Sequence, residues 1–203
     1  MHRTKNRHTA VSKNATIRFY MNVPTPQDIL DFWYAPDMRA KWFASTPQLD
    51  AAIRARFEPL WEAAVRGELA AWLGSPAGCL ALAIILDQFP LNMFRGTAKS
   101  FSSEGQAIGV TKQAIAQNFD RHIDPAQLAF LYLPLMHSED LADQDLSVQL
   151  FAAAGLDNNL RFARHHREIV RRFGRFPHRN AILGRTSSAE EMVYLDSKEA
   201  FRG

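Results

Sequence analysis

The chain has 203 residues, of which 47% are hydrophobic and 22% charged, with one cysteine and a formal net charge of +3. This composition fits one domain or two small ones, and the single cysteine excludes an internal disulfide or a multi-cysteine zinc site. The longest apolar run, Cys79 to Leu86, is too short to cross a bilayer, which needs about 20 residues.

The positive charge comes from the N-terminal segment, residues 1–24, which holds five basic residues and no acidic one. The remaining 19 basic and 21 acidic residues give the rest of the chain a net charge of −2. We therefore predict no nucleic-acid partner and no membrane partner. We interpret residues 1–24 as a disordered tail or as sequence upstream of a true start at Met21. Residues 25–203 are predicted to form a single all-helical domain in the cytoplasm.

Helix-start signals recur along the first half of the chain. Two of them combine an N-cap threonine with proline at the first helical position: Thr25 with Pro26, and Thr46 with Pro47. Pro59 lies inside the second pattern and predicts a kinked helix or two helices. Residues 75–90 are apolar all round from Cys79 to Leu86, which favours a buried helix over a buried strand.

The second half continues in the same way after a weaker helical pattern at residues 102–119. The predicted N-caps are Asp124, Ser138, Asp157 or Asn158, and two overlapping capping boxes that pair Ser187 with Glu190 and Ser188 with Glu191. No segment alternates apolar and polar residues in the manner of a strand. The predicted fold class is all-α, with about eight or nine helices and no β-sheet.

Two side chains fall on the apolar face of a predicted helix. His166 lies amid the apolar face of helix 158–173, whose opposite face carries five arginines, and Gln144 lies among the apolar residues of helix 139–154. Buried polar groups need hydrogen-bond partners. Each is therefore either a satisfied core residue or part of a site.

Asp87 ends the most apolar predicted helix, where a carboxylate meets the negative end of the helix dipole and calls for a cation. Arg95 is the nearest in sequence, and Arg175 and Arg179 are further candidates. The segment after Asp87 (87–97) resembles residues 174–186, since each has Phe-Pro followed by asparagine and then arginine, glycine and threonine. We predict that these two Phe-Pro corners converge with the start of the Ser138 helix in a buried polar network.

This network is either structural or a ligand pocket. As a pocket it would use His137 or His178 as general acid or base, with Glu139 orienting the histidine. The candidate ligand-binding residues are Asp87, Arg95, Gln144, His166, Arg175, Arg179, Asn180 and Arg185. No metal-ligand spacing, nucleophile elbow or nucleotide-binding loop occurs, so we predict no metal and no cofactor.

Three long motifs support a resemblance to a known family: LDQFPLNMFRGT, FLYLPLMHSEDLADQ and FGRFPHRNAILGRTSSAEE. Over about residues 28–195 the chain resembles domain-of-unknown-function family 924, which is found mostly in bacteria. The resemblance implies a tetratricopeptide-like layer of antiparallel helix pairs. Leu91 stands where the family commonly has arginine. The resemblance implies no substrate and no catalytic residue.

Two functions remain open at this level. The first is a binding protein or an enzyme whose polar pocket holds a small anionic ligand. The second is a tetratricopeptide-like scaffold for a protein partner, in which the polar motifs only fix loops. Exposed aromatic residues would favour the scaffold, and the candidates are Trp33, Tyr34, Trp42 and Phe43.

Overall fold

The computed structural model describes residues 24–42 and 44–202. Over these residues the fold is all-α, with nine α-helices and no strand. The helices are α1 (Pro26–Trp33), α2 (Pro36–Arg39), α3 (Pro47–Val65), α4 (Pro76–Met93), α5 (Glu104–Ala116), α6 (Pro125–His137), α7 (Leu141–Ala153), α8 (Asp157–Phe173) and α9 (Ala189–Asp196). The predicted tail lies outside the described residues except for Pro24.

Most of the predicted helix starts are confirmed. The side chains of Thr25, Thr46 and Asp124 each cap a helix whose first residue is proline. Ser188 and Glu191 form the second of the two capping boxes at the start of α9. Pro59 lies within one helix, α3, rather than between two.

Three predicted caps are wrong. Asp140, not Ser138, caps α7 by accepting the backbone N–H groups of Ala142 and Asp143. The Ser138 hydroxyl instead donates to the Asp143 carboxylate at 2.9 Å. Helix α8 begins after Leu156 without a side-chain cap, and the Ser187 hydroxyl accepts from the Asn180 amide instead of capping α9.

Helix α4 does not end at Asp87, as the sequence suggested. It continues to Met93 through a π-helical segment, Ile84–Gln88, in which the backbone N–H of Phe89 bonds to the carbonyl of Ile84. Pro90 has no N–H to offer the carbonyl of Leu86. The buried Ser103 hydroxyl donates to that carbonyl at 2.6 Å and accepts from the indole of Trp61 at 2.9 Å. A neighbouring side chain thus replaces the lost helical hydrogen bond.

Helix α4 is the centre of the main hydrophobic core. It contacts α1, α3, α5 and α6, while α7 packs between α6 and α8. By length and composition α4 could span a membrane, but 83% of it is buried inside the protein, as expected for a core helix. A second, smaller cluster contains Ile169, Val170, Phe176 and Tyr194.

Candidate functional site

The π segment of α4 directs Asp87 to the last residue of α6. The Asp87 Oδ1 atom lies 2.8 Å from Nδ1 of His137, and the Asp87 side chain is buried. π segments inside α-helices occur frequently at functional sites. The partner of Asp87 is therefore a histidine 50 residues away, rather than Arg95 as the sequence suggested.

The Asp87–His137 pair fixes the orientation of the imidazole. An ionised carboxylate can only accept hydrogen bonds, so Nδ1 of His137 carries a proton and Nε2 is left to exchange one. Burial opposes protonation of the ring, but the Asp87 carboxylate outweighs it and raises the pKa of His137 above its ordinary value. A histidine held in this way can act as an acid or a base near neutral pH.

Arg179 brings the second Phe-Pro corner to the same place. Its side chain is buried, and it donates through Nη2 to the carbonyl of His137 at 2.9 Å and through Nη1 to Glu104 at 2.8 Å. The guanidinium carbon lies 4.5 Å from the ring centroid of Phe101 and 4.7 Å from that of Phe176. The Nε of Arg179 has no hydrogen-bond partner among the described residues.

Glu104, at the start of α5, is a site residue that the sequence analysis missed. Burial raises the pKa of its carboxyl above the ordinary value in spite of the Arg179 charge beside it. In the sequence it looks like any acidic residue in the first turn of a helix. Its contact with Arg179 spans 75 residues, and no local pattern marks it.

His166 and His178 face the same space. Burial lowers the pKa of His166 to about 3, and burial together with the Arg179 charge lowers the pKa of His178 to about 4. His166 also has a hydrogen-bond contact from Nδ1 to the carbonyl of Phe162 at 2.9 Å. Both rings are therefore neutral at physiological pH.

Glu139 does not orient His137. Its carboxylate accepts two hydrogen bonds from Arg185, at 2.7 and 2.9 Å, and one from the backbone N–H of Phe176 at 2.8 Å. Burial opposes its ionisation, but these hydrogen bonds prevail and hold the pKa of Glu139 below its ordinary value. Glu139 and Arg185 tie the second Phe-Pro corner to the segment before α7.

Three further candidates make contacts away from the Asp87–His137 pair. Arg175 forms a two-point ion pair with Glu191 of α9. The Gln144 amide donates to the carbonyls of Met136 and Ser138, both at 2.7 Å. The Asn180 amide donates to Ser187. Each of these side chains holds neighbouring backbone segments together.

A cavity of about 440 Å³ connects the remaining groups. It is lined by six of the predicted site residues: Asp87, Arg95, His137, His166, His178 and Arg179. Most of the remaining wall is formed by Glu104, Phe101, Phe176, Ile182, Phe201 and Arg202. Arg95 also pairs with Asp50 at 2.7 Å, at the exposed edge. The other five predicted site residues do not line the cavity: Glu139, Gln144, Arg175, Asn180 and Arg185.

Two further observations concern a metal site and the scaffold function. No cluster of three or more potential metal ligands occurs in the described part of the chain. Of the aromatic residues proposed as a docking surface, Trp33 and Tyr34 are buried in the main core, Trp42 is packed against it, and Phe43 lies outside the described residues.

Comparison with known proteins identifies the family of this chain. Residues 29–199 match the family model described as bacterial protein of unknown function (DUF924). The chain belongs to the DUF924 family. It is also similar to the solved structure of protein of unknown function ATU0120 from Agrobacterium tumefaciens. That similarity has 41% sequence identity and a TM-score of 0.79, and it covers 84% of this chain and 96% of the other. No curated protein matches the chain.

Proposed function

We propose that the cavity of this DUF924 protein is an active site for a small anionic substrate, with His137 as the general acid or base. The observation that carries the proposal is the 2.8 Å contact between Asp87 and Nδ1 of His137 at the cavity wall. Asp87 holds the imidazole in one tautomer, and 19% of the His137 side chain remains exposed for contact with a substrate. A histidine that only fixed a loop would need neither an orienting carboxylate nor contact with the cavity.

Arg179 is the proposed anion-binding group. Its guanidinium has five N–H donors, and the contacts to Glu104 and His137 leave several of them unused. The phenyl rings of Phe101 and Phe176 beside it exclude water, which strengthens its interaction with a bound carboxylate or phosphate. Arg202 adds positive charge at the wall, while the charge of Arg95 is paired with Asp50.

Ligand binding is tested by thermal-shift screening against carboxylate and phosphorylated metabolites. A binding compound present at 100 times its Kd is expected to raise the melting temperature of the wild type by about 5–10 °C. Arg179→Ala is expected to abolish the shift, and Arg171→Ala, at an exposed position on α8, to retain it. If no compound stabilises the wild type more than Arg179→Ala, the anion site is refuted.

The role of Asp87 is tested by titrating the histidine signals by NMR. Asp87→Asn removes the charge that favours the imidazolium while the ring stays buried, so the pKa of His137 is expected to fall from above its ordinary value to below it. His137→Gln identifies the signal by its loss, and Asp145→Asn, at an exposed position, serves as the control. An unchanged His137 titration in Asp87→Asn would contradict the proposed pair.

We propose also that the helices stack as a tetratricopeptide-like layer in a cytoplasmic protein. The sequential contacts α5–α6, α6–α7 and α7–α8 support the stacking, since short loops join antiparallel neighbours. The single thiol, Cys79, is buried and free, which suits a reducing compartment. Interhelical angles from an experimental structure and cell fractionation would test these two statements.

A further inference from the structure

Four aromatic rings form a continuous part of the cavity wall. His166 lies 5.4 Å from Phe176 and 4.3 Å from Phe201, between ring centroids. His178 lies 5.6 Å from Phe176 and 5.0 Å from Phe201, so each histidine contacts both phenylalanines. We call these four residues the aromatic wall. All four line the cavity.

The aromatic wall is uncharged, because burial lowers the pKa of His166 to about 3 and that of His178 to about 4. Neither imidazole therefore offers a positive charge to an anion at neutral pH. The wall presents ring faces and edges together with neutral imidazole nitrogens. A surface of this kind favours a flat apolar group over a charged one.

The anion-binding end adjoins this wall directly. Phe176 belongs to the aromatic wall and also stacks beneath the guanidinium of Arg179, at 4.7 Å. A ligand whose anionic group contacts Arg179 would therefore place its next few atoms against Phe176, His178 and Phe201. The cavity volume of about 440 Å³ is within the range of small-molecule sites.

We propose that the substrate class of this site is a small aromatic acid, with the anionic group on Arg179 and the ring against the aromatic wall. This inference rests on the proposed function and narrows the substrate class from any small anion to a carboxylate or phosphate that carries an aromatic ring. We assign Phe201 as the specificity-determining residue, because its ring contacts both histidines of the wall. The backbone N–H of Phe201 donates to the Tyr194 hydroxyl at 2.9 Å, which ties the backbone at Phe201 to α9.

The experiment measures the affinity of the full chain for three carboxylates by calorimetry: phenylacetate, cyclohexylacetate and acetate. We expect phenylacetate to bind about tenfold more tightly than acetate and about three- to tenfold more tightly than cyclohexylacetate. Phe201→Leu keeps an apolar side chain and removes one of the four rings, so it is expected to reduce the preference for phenylacetate over cyclohexylacetate. Phe162→Ala, which removes an exposed phenyl group outside the cavity, is the matched control and should behave as the wild type.

The outcomes separate this inference from the proposed function. If the carboxylates bind to the wild type but not to Arg179→Ala, and phenylacetate binds no more tightly than cyclohexylacetate, the aromatic preference is wrong and the anion site stands. If no anion binds, both are wrong. If Phe201→Leu and Phe162→Ala keep the same preference as the wild type, the assignment to the aromatic wall is overturned.

Discussion

Glu139→Ala is expected to lower the free energy of unfolding by about 2–3 kcal/mol, a value between those for breaking an exposed and a fully buried ion pair, because both side chains of the Glu139–Arg185 pair are about three-quarters buried. The substitution leaves Arg185 without a counter-charge at a site where only 24% of its side chain is exposed. It also leaves the backbone N–H of the buried Phe176 without an acceptor. The loss is large because Glu139 satisfies both groups at once. Urea unfolding at pH 7 measures it directly.

Glu168→Ala is the matched control for this prediction. Glu168 forms an ion pair of similar geometry with Arg171, but both side chains are more than half exposed on the outer face of α8. Pairs of that kind contribute about 0–1 kcal/mol. A destabilisation by Glu139→Ala no larger than that by Glu168→Ala would refute the structural role. Fully folded Glu139→Ala protein should still bind the anion, because Glu139 does not line the cavity.

His166→Phe is expected to remove part of the protein's sensitivity to acid. The folded-state pKa of His166 is about 3, against 6.5 for the ordinary side chain. Below pH 6.5 the unfolded chain therefore takes up a proton at this residue that the folded protein does not. His166 thus contributes fully to stability above pH 6.5, and its contribution falls as the pH drops towards 3.

The expected loss at His166 between pH 6.5 and pH 4 is about 2–3 kcal/mol, since each pKa unit corresponds to about 1.4 kcal/mol. Phenylalanine preserves the ring contacts with Phe176 and Phe201 and cannot take up a proton. The difference in unfolding free energy between wild type and variant should therefore shift in favour of His166→Phe as the pH falls.

Two features make the measurement specific to His166. His137 contributes in the opposite direction, because a raised folded-state pKa favours the folded protein below pH 6.5, but this contribution is present in both proteins and cancels in the comparison. His122→Gln, at an exposed position, is the control. Parallel stability curves for wild type and His166→Phe from pH 7 to pH 4 would contradict the assignment.

The location of the candidate site was only partly predictable from the sequence. The inward position of His166 follows from helical periodicity, since it falls between Ala163 and Val170 on one face of α8. The unusual position of the Asp87 carboxylate was also visible, because Asp87 directly follows the apolar run from Cys79 to Leu86. The partner of Asp87 was not predictable, because any of several arginines or histidines could neutralise its carboxylate. Only the packing of α6 against α4 brings His137 within 2.8 Å.

The sequence by itself determined the all-α class, most helix starts and the family. These depend on local rules: an N-cap side chain reaches backbone N–H groups two or three residues away, and proline fits the first turn of a helix. The tertiary structure decided the π segment in α4, the exchange of Ser138 for Asp140 as cap, and the pairing of Arg179 with Glu104. The π segment and the Arg179–Glu104 pair depend on contacts between residues far apart in the chain, whereas Ser138 and Asp140 are neighbours at the start of α7. For such long-range contacts, several residues of the same charge are equally suitable partners. Only the folded structure determines which of them are close together and buried.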